Sequence, residues 1–151
     1  MRLPNFSIYA LDLLVYLRRT PDRLVTIHEV AQARGVSHNH MMKVAQRLRV
    51  LGYVCAVRGR GGGLRLGARP ESIGLGDLIW QTGGGLTQEG HNGAGRPPCR
   101  LDTVMAEAAV AFRQALNRHT VADLAETSDI AALSSDVGRS TREAACGRVA
   151  A

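Results

Sequence analysis

Residues 54–67 read VCAVRGRGGGLRLG, and this stretch decides how the rest of the chain is interpreted. Two short runs of β-prone residues flank a turn that holds four glycines and two arginines, Arg58 and Arg60. Glycine accepts positive φ angles, and arginine offers a planar fork of donors to phosphates and base edges. The stretch therefore predicts a basic β-hairpin that reaches along a nucleic-acid groove. Two plainer interpretations stay open at this point: an ordinary surface hairpin, and a glycine loop that holds a nucleotide phosphate.

A helix-turn-helix pattern precedes the hairpin, over residues 25–51. Thr26 and Glu29 fit a capping box at the start of the first helix, and Gly35 supplies the sharp turn after it. Ser37 is placed to cap the second helix. Helix, turn, helix and basic hairpin predict a winged helix, whose second helix enters the major groove and whose hairpin forms the wing.

The second helix of this motif has an apolar face, because apolar residues recur in it at spacings of three and four. Those residues are Met41, Val44, Ala45, Leu48 and Leu51. On the polar face, Asn39, Met42 and Lys43 are predicted to meet base edges. Arg58 and Arg60 are predicted to meet the minor groove or phosphates. The full set of predicted DNA contacts is Arg2, Ser37, Asn39, His40, Met42, Lys43, Arg58, Gly59, Arg60 and Gly61.

The charge distribution favours the same site. Residues 1–70 contain 12 Arg and Lys against 3 Asp and Glu, a net charge of +9. Residues 71–151 contain 7 against 10, a net charge of −3, so the whole chain carries +6. Such asymmetry indicates a nucleic-acid partner for the first half, which the winged-helix motif specifies as double-stranded DNA.

Length, composition and cysteine content limit the possible domain count, location and metal sites. A chain of 151 residues fits one compact domain with an added element, and 45% hydrophobic residues with 4% aromatics predict an aliphatic core. No run of about eighteen apolar residues is present, and the start lacks the layout of a signal peptide. The expected location is therefore the cytoplasm, with no membrane association. Cys55, Cys99 and Cys146 form no paired motif, so no zinc framework is indicated.

The longest predicted helix, at about 101–118, carries an apolar stripe that needs a partner. The stripe comprises Leu101, Val104, Met105, Ala108, Phe112, Ala115 and Leu116. We expect a two-fold homodimer that buries Leu101, Met105, Ala108 and Phe112, because a symmetric dimer lets two winged helices bind a palindrome. Packing of the stripe onto its own winged helix is the alternative.

These patterns divide the chain into four parts. Residues 1–81, with a first helix at about 6–19 and a short one at 72–80, are predicted to be the winged-helix DNA-binding domain. Residues 82–99 are predicted to be a sensor-like loop, and 100–125 the dimerisation helix with its closing turn. Residues 126–151 are predicted to be a mostly disordered tail. The predicted fold class is mainly α, a winged helix-turn-helix with a two-stranded wing and a long C-terminal dimerisation helix.

With these elements in place, the chain resembles the Rrf2 superfamily of bacterial regulators over about residues 1–125. The matching segments are Met1–Leu3, Val36–Met41, Val57–Gly63, Ile73–Leu78, Cys99–Leu101 and Thr120–Leu124. The stretch Asn39-His40-Met41 and the closing helix look most like the nitric-oxide-sensitive branch. The resemblance implies a homodimer that represses or activates promoters by binding a palindrome. We expect a repressor that responds to nitric oxide or redox stress.

The chain departs from this resemblance at the sensor. Cluster-binding members carry three cysteines in the loop before the long helix, because thiolates hold iron–sulfur clusters. Here only the last is present, as Cys99, while the earlier positions fall near Gln88 and Gly93. The place of a carboxylate ligand in the first helix falls near Ile8. No cofactor or metal is therefore predicted, although an iron–sulfur cluster held by Cys99 and a partner such as His91 stays open.

Cys99 is the predicted sensor residue, as a redox-sensitive thiol. It lies at the start of a helix between Arg96 and Arg100, and both features favour a reactive thiolate. The alternative is a remnant of a lost sensor in a constitutive repressor. Cys55 lies in a wing strand and is predicted to be packed rather than reactive.

Other classes of protein fit this sequence less well. It contains no Ser/His/Asp set and no carboxylate pair in an apolar setting, and the glycine turn lacks the Lys-Ser/Thr of a phosphate loop. The chain is therefore not predicted to be an enzyme. A protein-binding adaptor built on a winged helix remains, and salt-sensitive binding to a defined DNA fragment separates it from a regulator.

Overall fold

The computed structural model describes residues 3–83 and 99–126. Its elements confirm the mainly α fold, with a winged helix-turn-helix and one two-stranded antiparallel sheet. In chain order they are α1 (Asn5–Arg19), α2 (Ile27–Arg34), α3 (His38–Val50), β1 (Val54–Val57), β2 (Gly63–Leu66), a 3-10 turn (Pro70–Ser72), α4 (Leu75–Gly83), α5 (Arg100–Leu116) and α6 (Val121–Glu126).

The hydrophobic core is built around α1, which contacts α2, α3, α4, α6 and β2. Leu13 and Leu14 of α1 are fully buried. They share one cluster with Met41, Val44 and Leu48 of α3, which confirms the predicted apolar face of the second helix of the motif. The polar face of α3 is thereby turned away from the core.

Local sequence signals set the ends of α2 and α3. The Thr26 hydroxyl accepts a hydrogen bond from the Glu29 N–H at 3.1 Å, and Ser37 Oγ accepts one from the His40 N–H at 3.3 Å. Gly35 ends α2 with φ +62°, a left-handed conformation that glycine adopts without steric cost. The two helices contact each other, which confirms the predicted helix-turn-helix.

Glycines shape the tip of the wing. β1 and β2 pair in a register that sets Val57 opposite Gly63. Between them, Gly59 and Gly61 have φ angles of +106° and +78°. A Cβ atom on Gly62 would lie 2.3 Å from the Val57 carbonyl oxygen. Gly59 and Gly61, which are among the predicted DNA contacts, are therefore required by the turn itself.

The C-terminal elements differ from the sequence-based boundaries. α4 continues through Thr82 and Gly83, so the helix enters the predicted loop 82–99. α6 begins in the predicted segment 100–125, which contains the dimerisation helix. It packs against α1 of the winged-helix domain. Arg2, most of the predicted sensor-like loop and the predicted tail lie outside the described residues. No helix within the described ranges has the length and apolar character needed to cross a membrane.

A carboxylate is buried in the core. Asp12 of α1 has no exposed surface, and Arg34 Nε of α2 lies 3.8 Å from its Oδ1. Among the described residues, neither carboxylate oxygen has a hydrogen-bond partner. Burial disfavours the charged form and raises the pKa of Asp12 to about 6, and the Arg34 charge opposes this rise only in part.

This carboxylate should make folding stability depend on pH. Because the pKa of Asp12 is higher in the folded chain than in the unfolded chain, the fold binds the proton more tightly between about pH 4 and about pH 6. Its contribution to the free energy of unfolding is present below that window and is lost as pH rises through it. We expect the free energy of unfolding of Asp12→Asn, relative to that of the wild type, to rise by at most about 3 kcal/mol between about pH 4 and about pH 6. Urea unfolding at each pH measures both values.

Glu29→Gln provides a control of opposite sign for this experiment. The pKa of Glu29 is lowered to about 2, so its contribution is lost as pH falls below its ordinary value of 4.5. A difference between Asp12→Asn and the wild type that does not change with pH would contradict the assignment of the buried charge.

Candidate nucleic-acid interface

α3 presents the predicted base-contacting side chains to solvent. Asn39, Met42 and Lys43 are all exposed on the face opposite the core. Two other predicted contacts have structural partners as well. Ser37 caps the helix through its hydroxyl, and the His40 ring stacks on Tyr9 of α1 with ring centroids 6.5 Å apart. The polar face of α3 is therefore available to a partner along its first turns.

The wing presents two arginines from its tip. Arg58 and Arg60 are exposed, and no hydrogen bond or ion pair with a described residue engages either guanidinium. An arginine without an acidic neighbour keeps all its donors for phosphates or base edges. Cys55, predicted to be packed, is exposed. The prediction was wrong because side chains alternate along a strand, and Cys55 follows the buried Val54.

The C-terminal end of α3 is fixed to α4, a feature that the sequence analysis missed. The Arg47 guanidinium donates to the Gln81 carbonyl oxygen at 3.0 and 3.3 Å. The Tyr53 hydroxyl donates to Gln81 Oε1 at 3.3 Å. Arg47 therefore couples the orientation of α3 to that of α4.

The N-terminal half of the motif is fixed by a second network. Glu29 Oε1 accepts a hydrogen bond from the Tyr16 hydroxyl at 2.7 Å, and Glu29 Oε2 accepts one from Arg23 at 2.9 Å. These hydrogen bonds, from Arg23 first and then Tyr16, lower the pKa of Glu29. The network ties α2 to α1, and only the capping position of Glu29 was readable in the sequence.

The apolar stripe of α5 is exposed in the single chain. Leu101, Val104 and Met105 have 61%, 50% and 49% of their surface exposed. Ala108 is exposed and Phe112 half-buried, while Ala109 on another side is the one fully buried residue of this fully described helix. The stripe therefore does not pack onto its own winged helix as a whole.

α5 is attached to α4 by its other side. Arg113 donates to Asp77 Oδ1 at 2.6 Å, and the Asn117 side chain donates to the same oxygen at 2.9 Å. Asn117, followed by Arg113, lowers the pKa of Asp77. The Arg113 guanidinium also lies 5.8 Å from the centroid of the Trp80 ring. A Cβ on Gly76 would lie 2.1 Å from the Arg113 carbonyl oxygen, which explains the glycine at this helix contact.

Cys99 lies at the start of α5, where its N–H donates to Asp102 Oδ2 at 2.7 Å. The thiol-bearing residue is half-buried and is followed directly by the exposed Arg100. The structure therefore places the predicted sensor residue at the N-cap of the helix that carries the apolar stripe.

A winged helix with an exposed polar recognition helix and a basic wing defines a DNA-binding protein. The chain belongs to the Rrf2 family of transcriptional regulators. The family model, described as "Iron-dependent Transcriptional regulator", matches residues 3–127. The protein is therefore a DNA-binding transcriptional regulator, as the sequence predicted.

The chain aligns with curated transcriptional regulators over nearly their whole length. The chain is 36% identical over 136 residues to the HTH-type transcriptional regulator NsrR of Bacillus subtilis (strain 168), covering 85% of this chain and 93% of the relative. It is also 36% identical to NsrR of Shouchella clausii (strain KSM-K16), covering 85% and 91%.

Solved structures share the fold. The oxidized form of Staphylococcus aureus CymR is 25% identical with a TM-score of 0.65, covering 85% of this chain and 99% of that one. CymR of B. subtilis, described as the global cysteine regulator, is 23% identical with a TM-score of 0.65, covering 83% and 96%. The second likeness shows the fold alone.

The residues described do not fit an iron-binding group. Within residues 3–83 and 99–126, no three His, Cys, Asp or Glu side chains come together as a metal site. Cys55 belongs to the wing, and Ile8 brings no donor atom to α1. We therefore derive no step of regulation through iron or a cluster. His91, Gln88 and Gly93 lie outside the described residues.

Proposed function

We propose that the protein is a homodimeric repressor that binds an inverted-repeat operator. Asn39, Met42 and Lys43 of α3 meet base edges in the major groove, and Arg58 and Arg60 contact phosphates or the minor groove. The observation that carries this proposal is the exposed polar face of α3 beside a wing whose arginines have no acidic partner among the described residues. Membership of a family of transcriptional regulators supports it.

The proposed dimer forms through α5. The N-terminal part of its apolar stripe, Leu101, Val104 and Met105, is exposed in the single chain, while Arg113 on an adjacent side of the helix holds Asp77 of α4. A helix that is anchored on one side and apolar on the other is suited to pair with a second copy. A two-fold axis at this stripe makes the interface isologous and gives the two copies of α3 symmetric positions.

Binding-site selection from a random duplex library tests this function. We expect an inverted repeat whose half-sites are centred about 10 base pairs apart or a multiple of that distance. Its affinity should fall linearly with salt on a double-logarithmic plot. The absence of any enriched sequence would favour the protein-binding adaptor over the regulator.

Cys99 is proposed as the sensor of nitric oxide or redox stress. A connected route leads from this residue to the DNA-binding face: α5 begins at Cys99, Arg113 of α5 holds Asp77 of α4, and Gln81 of α4 holds Arg47 of α3. Modification of the thiol at the N-cap can shift α5 and with it the spacing of the two recognition helices. The NsrR relatives and the resemblance to the nitric-oxide-sensitive branch support this signal.

Operator-binding curves test the sensor. A thiol oxidant or a nitrosating agent should shift the affinity of the wild type for the selected operator, and Cys99→Ser should abolish that shift. Cys55→Ser is the matched control, because Cys55 is a second thiol, exposed to reagent, that lies outside the route. Curves that do not change on treatment of the wild type would leave a constitutive repressor.

A further inference from the structure

Two exposed histidines lie close together at the N-terminal ends of the two helices of the helix-turn-helix. His28 is the second residue of α2, and His38 is the first residue of α3. Their ring centroids lie 6.3 Å apart, with an angle of 46° between the ring planes. Neither His28 nor His38 is among the predicted DNA contacts.

Their position suits a contact with the DNA backbone. When a helix-turn-helix docks, its first helix crosses the backbone while the N-terminal residues of its second helix enter the major groove. In such a docked complex the two rings would lie beside the DNA backbone, close enough for one phosphate to contact both. A phosphate can accept one N–H···O bond of about 2.8 Å from each ring, since imidazolium donates from both nitrogens.

Among the described residues, no carboxylate forms an ion pair with either ring of this pair. The helices that surround the pair, α1, α2 and α3, contain two carboxylates, Asp12 and Glu29. Asp12 is buried beside Arg34, and Glu29 is held by Arg23. The other titratable or charged side chains of these helices are Tyr9, Tyr16, Arg18 and Arg19 of α1, Arg34 of α2, and His40, Lys43, Arg47 and Arg49 of α3. Within residues 3–83 and 99–126, no carboxylate therefore balances a positive charge on the two rings.

We propose that His28 and His38, when protonated, hold one DNA phosphate between them, so that DNA binding tightens as pH falls. The inference rests on the proposed function and extends its DNA contacts. Histidine is the side chain that ordinarily changes charge between pH 5 and 8, and a charge-assisted bond to phosphate forms only with the cation. Uptake of protons on binding then makes affinity pH-dependent.

Binding to a mixed-sequence duplex of about 30 base pairs tests the inference, because a phosphate contact carries no sequence information. We expect the dissociation constant of the wild type to fall at least about tenfold between about pH 8 and about pH 5.5. In a His40→Gln background, which removes the other histidine among the predicted DNA contacts, the His28→Gln, His38→Gln double variant should change less than about twofold over that range. Asp12 titrates in this double variant too, so the comparison cancels its effect.

Two further variants complete the test. His119→Gln removes an exposed histidine from the turn between α5 and α6 and should keep the pH response of the wild type. A His28→Lys, His38→Arg variant carries fixed positive charges and should bind tightly at both pH values. A double Gln variant with the pH response of the wild type would overturn the inference, as would a wild type that binds DNA equally at both values. Failure to bind this duplex or any selected operator would overturn the proposed function instead.

Discussion

A Met105→Glu variant is expected to be monomeric and to bind the selected operator at least about a hundredfold more weakly. Met105 lies in the apolar stripe of α5 and is 49% exposed in the single chain. At a two-fold interface the new carboxylate would be buried near its own copy, and an uncompensated buried charge costs about 3 kcal/mol or more. Sedimentation velocity measures the oligomeric state, and fluorescence anisotropy with labelled operator measures the affinity.

Gln114→Glu is the matched control for this variant. Gln114 is exposed on α5, and nine residues at 100° each place it on the opposite side of the helix from Met105. Gln114→Glu adds the same charge and should leave a dimer that binds the operator with the affinity of the wild type. A wild type that sediments as a monomer at micromolar concentration, or a Met105→Glu protein that remains a dimer, would contradict an interface at this stripe.

Removal of both wing arginines should have a still larger effect. We expect Arg58→Ala and Arg60→Ala together to weaken operator binding by up to about ten-thousandfold, since the two wings of a dimer lose four charge-assisted contacts of about 1.5 kcal/mol each. If all four arginines contact phosphates, the slope of affinity against salt becomes shallower by about 0.9 for each of the four. Anisotropy titrations at several salt concentrations give both quantities.

Arg118→Ala separates this effect from a loss of net charge. Arg118 is exposed in the turn between α5 and α6, far along the chain from the wing. Its removal changes the net charge by the same amount per residue and should leave the salt slope unchanged. A wing variant with the affinity and slope of the wild type would show that the hairpin is not in contact with DNA.

The fold was readable from the sequence wherever the signal was local. Thr26, Gly35 and Ser37 each act within a few residues, and the structure confirms the turn and both caps. The glycines of the wing likewise fix a turn through their own φ angles. Apolar spacing predicted the buried face of α3 because a helix converts sequence spacing directly into position on a face.

Contacts between distant residues were not readable. Nothing in the sequence marks Arg47 as the partner of Gln81, or Asp12 as the carboxylate that faces Arg34 in the core. The exposure of Cys55 also depended on which face of the wing the core covers. The same limit holds for the site: helical spacing placed Asn39 and Lys43 on an exposed face, while the proximity of His28 to His38 required the folded chain.

Methylation interference on the selected operator shows directly which groove α3 occupies. The proposed dimer places α3 in the major groove of two symmetric half-sites. Methylation of guanine N7, which faces the major groove, should therefore block binding at two clusters related by a two-fold axis and about 10 base pairs apart or a multiple of that distance. Interference at a single cluster, or binding that N7 methylation does not affect at any position, would contradict a symmetric dimer that binds DNA through α3.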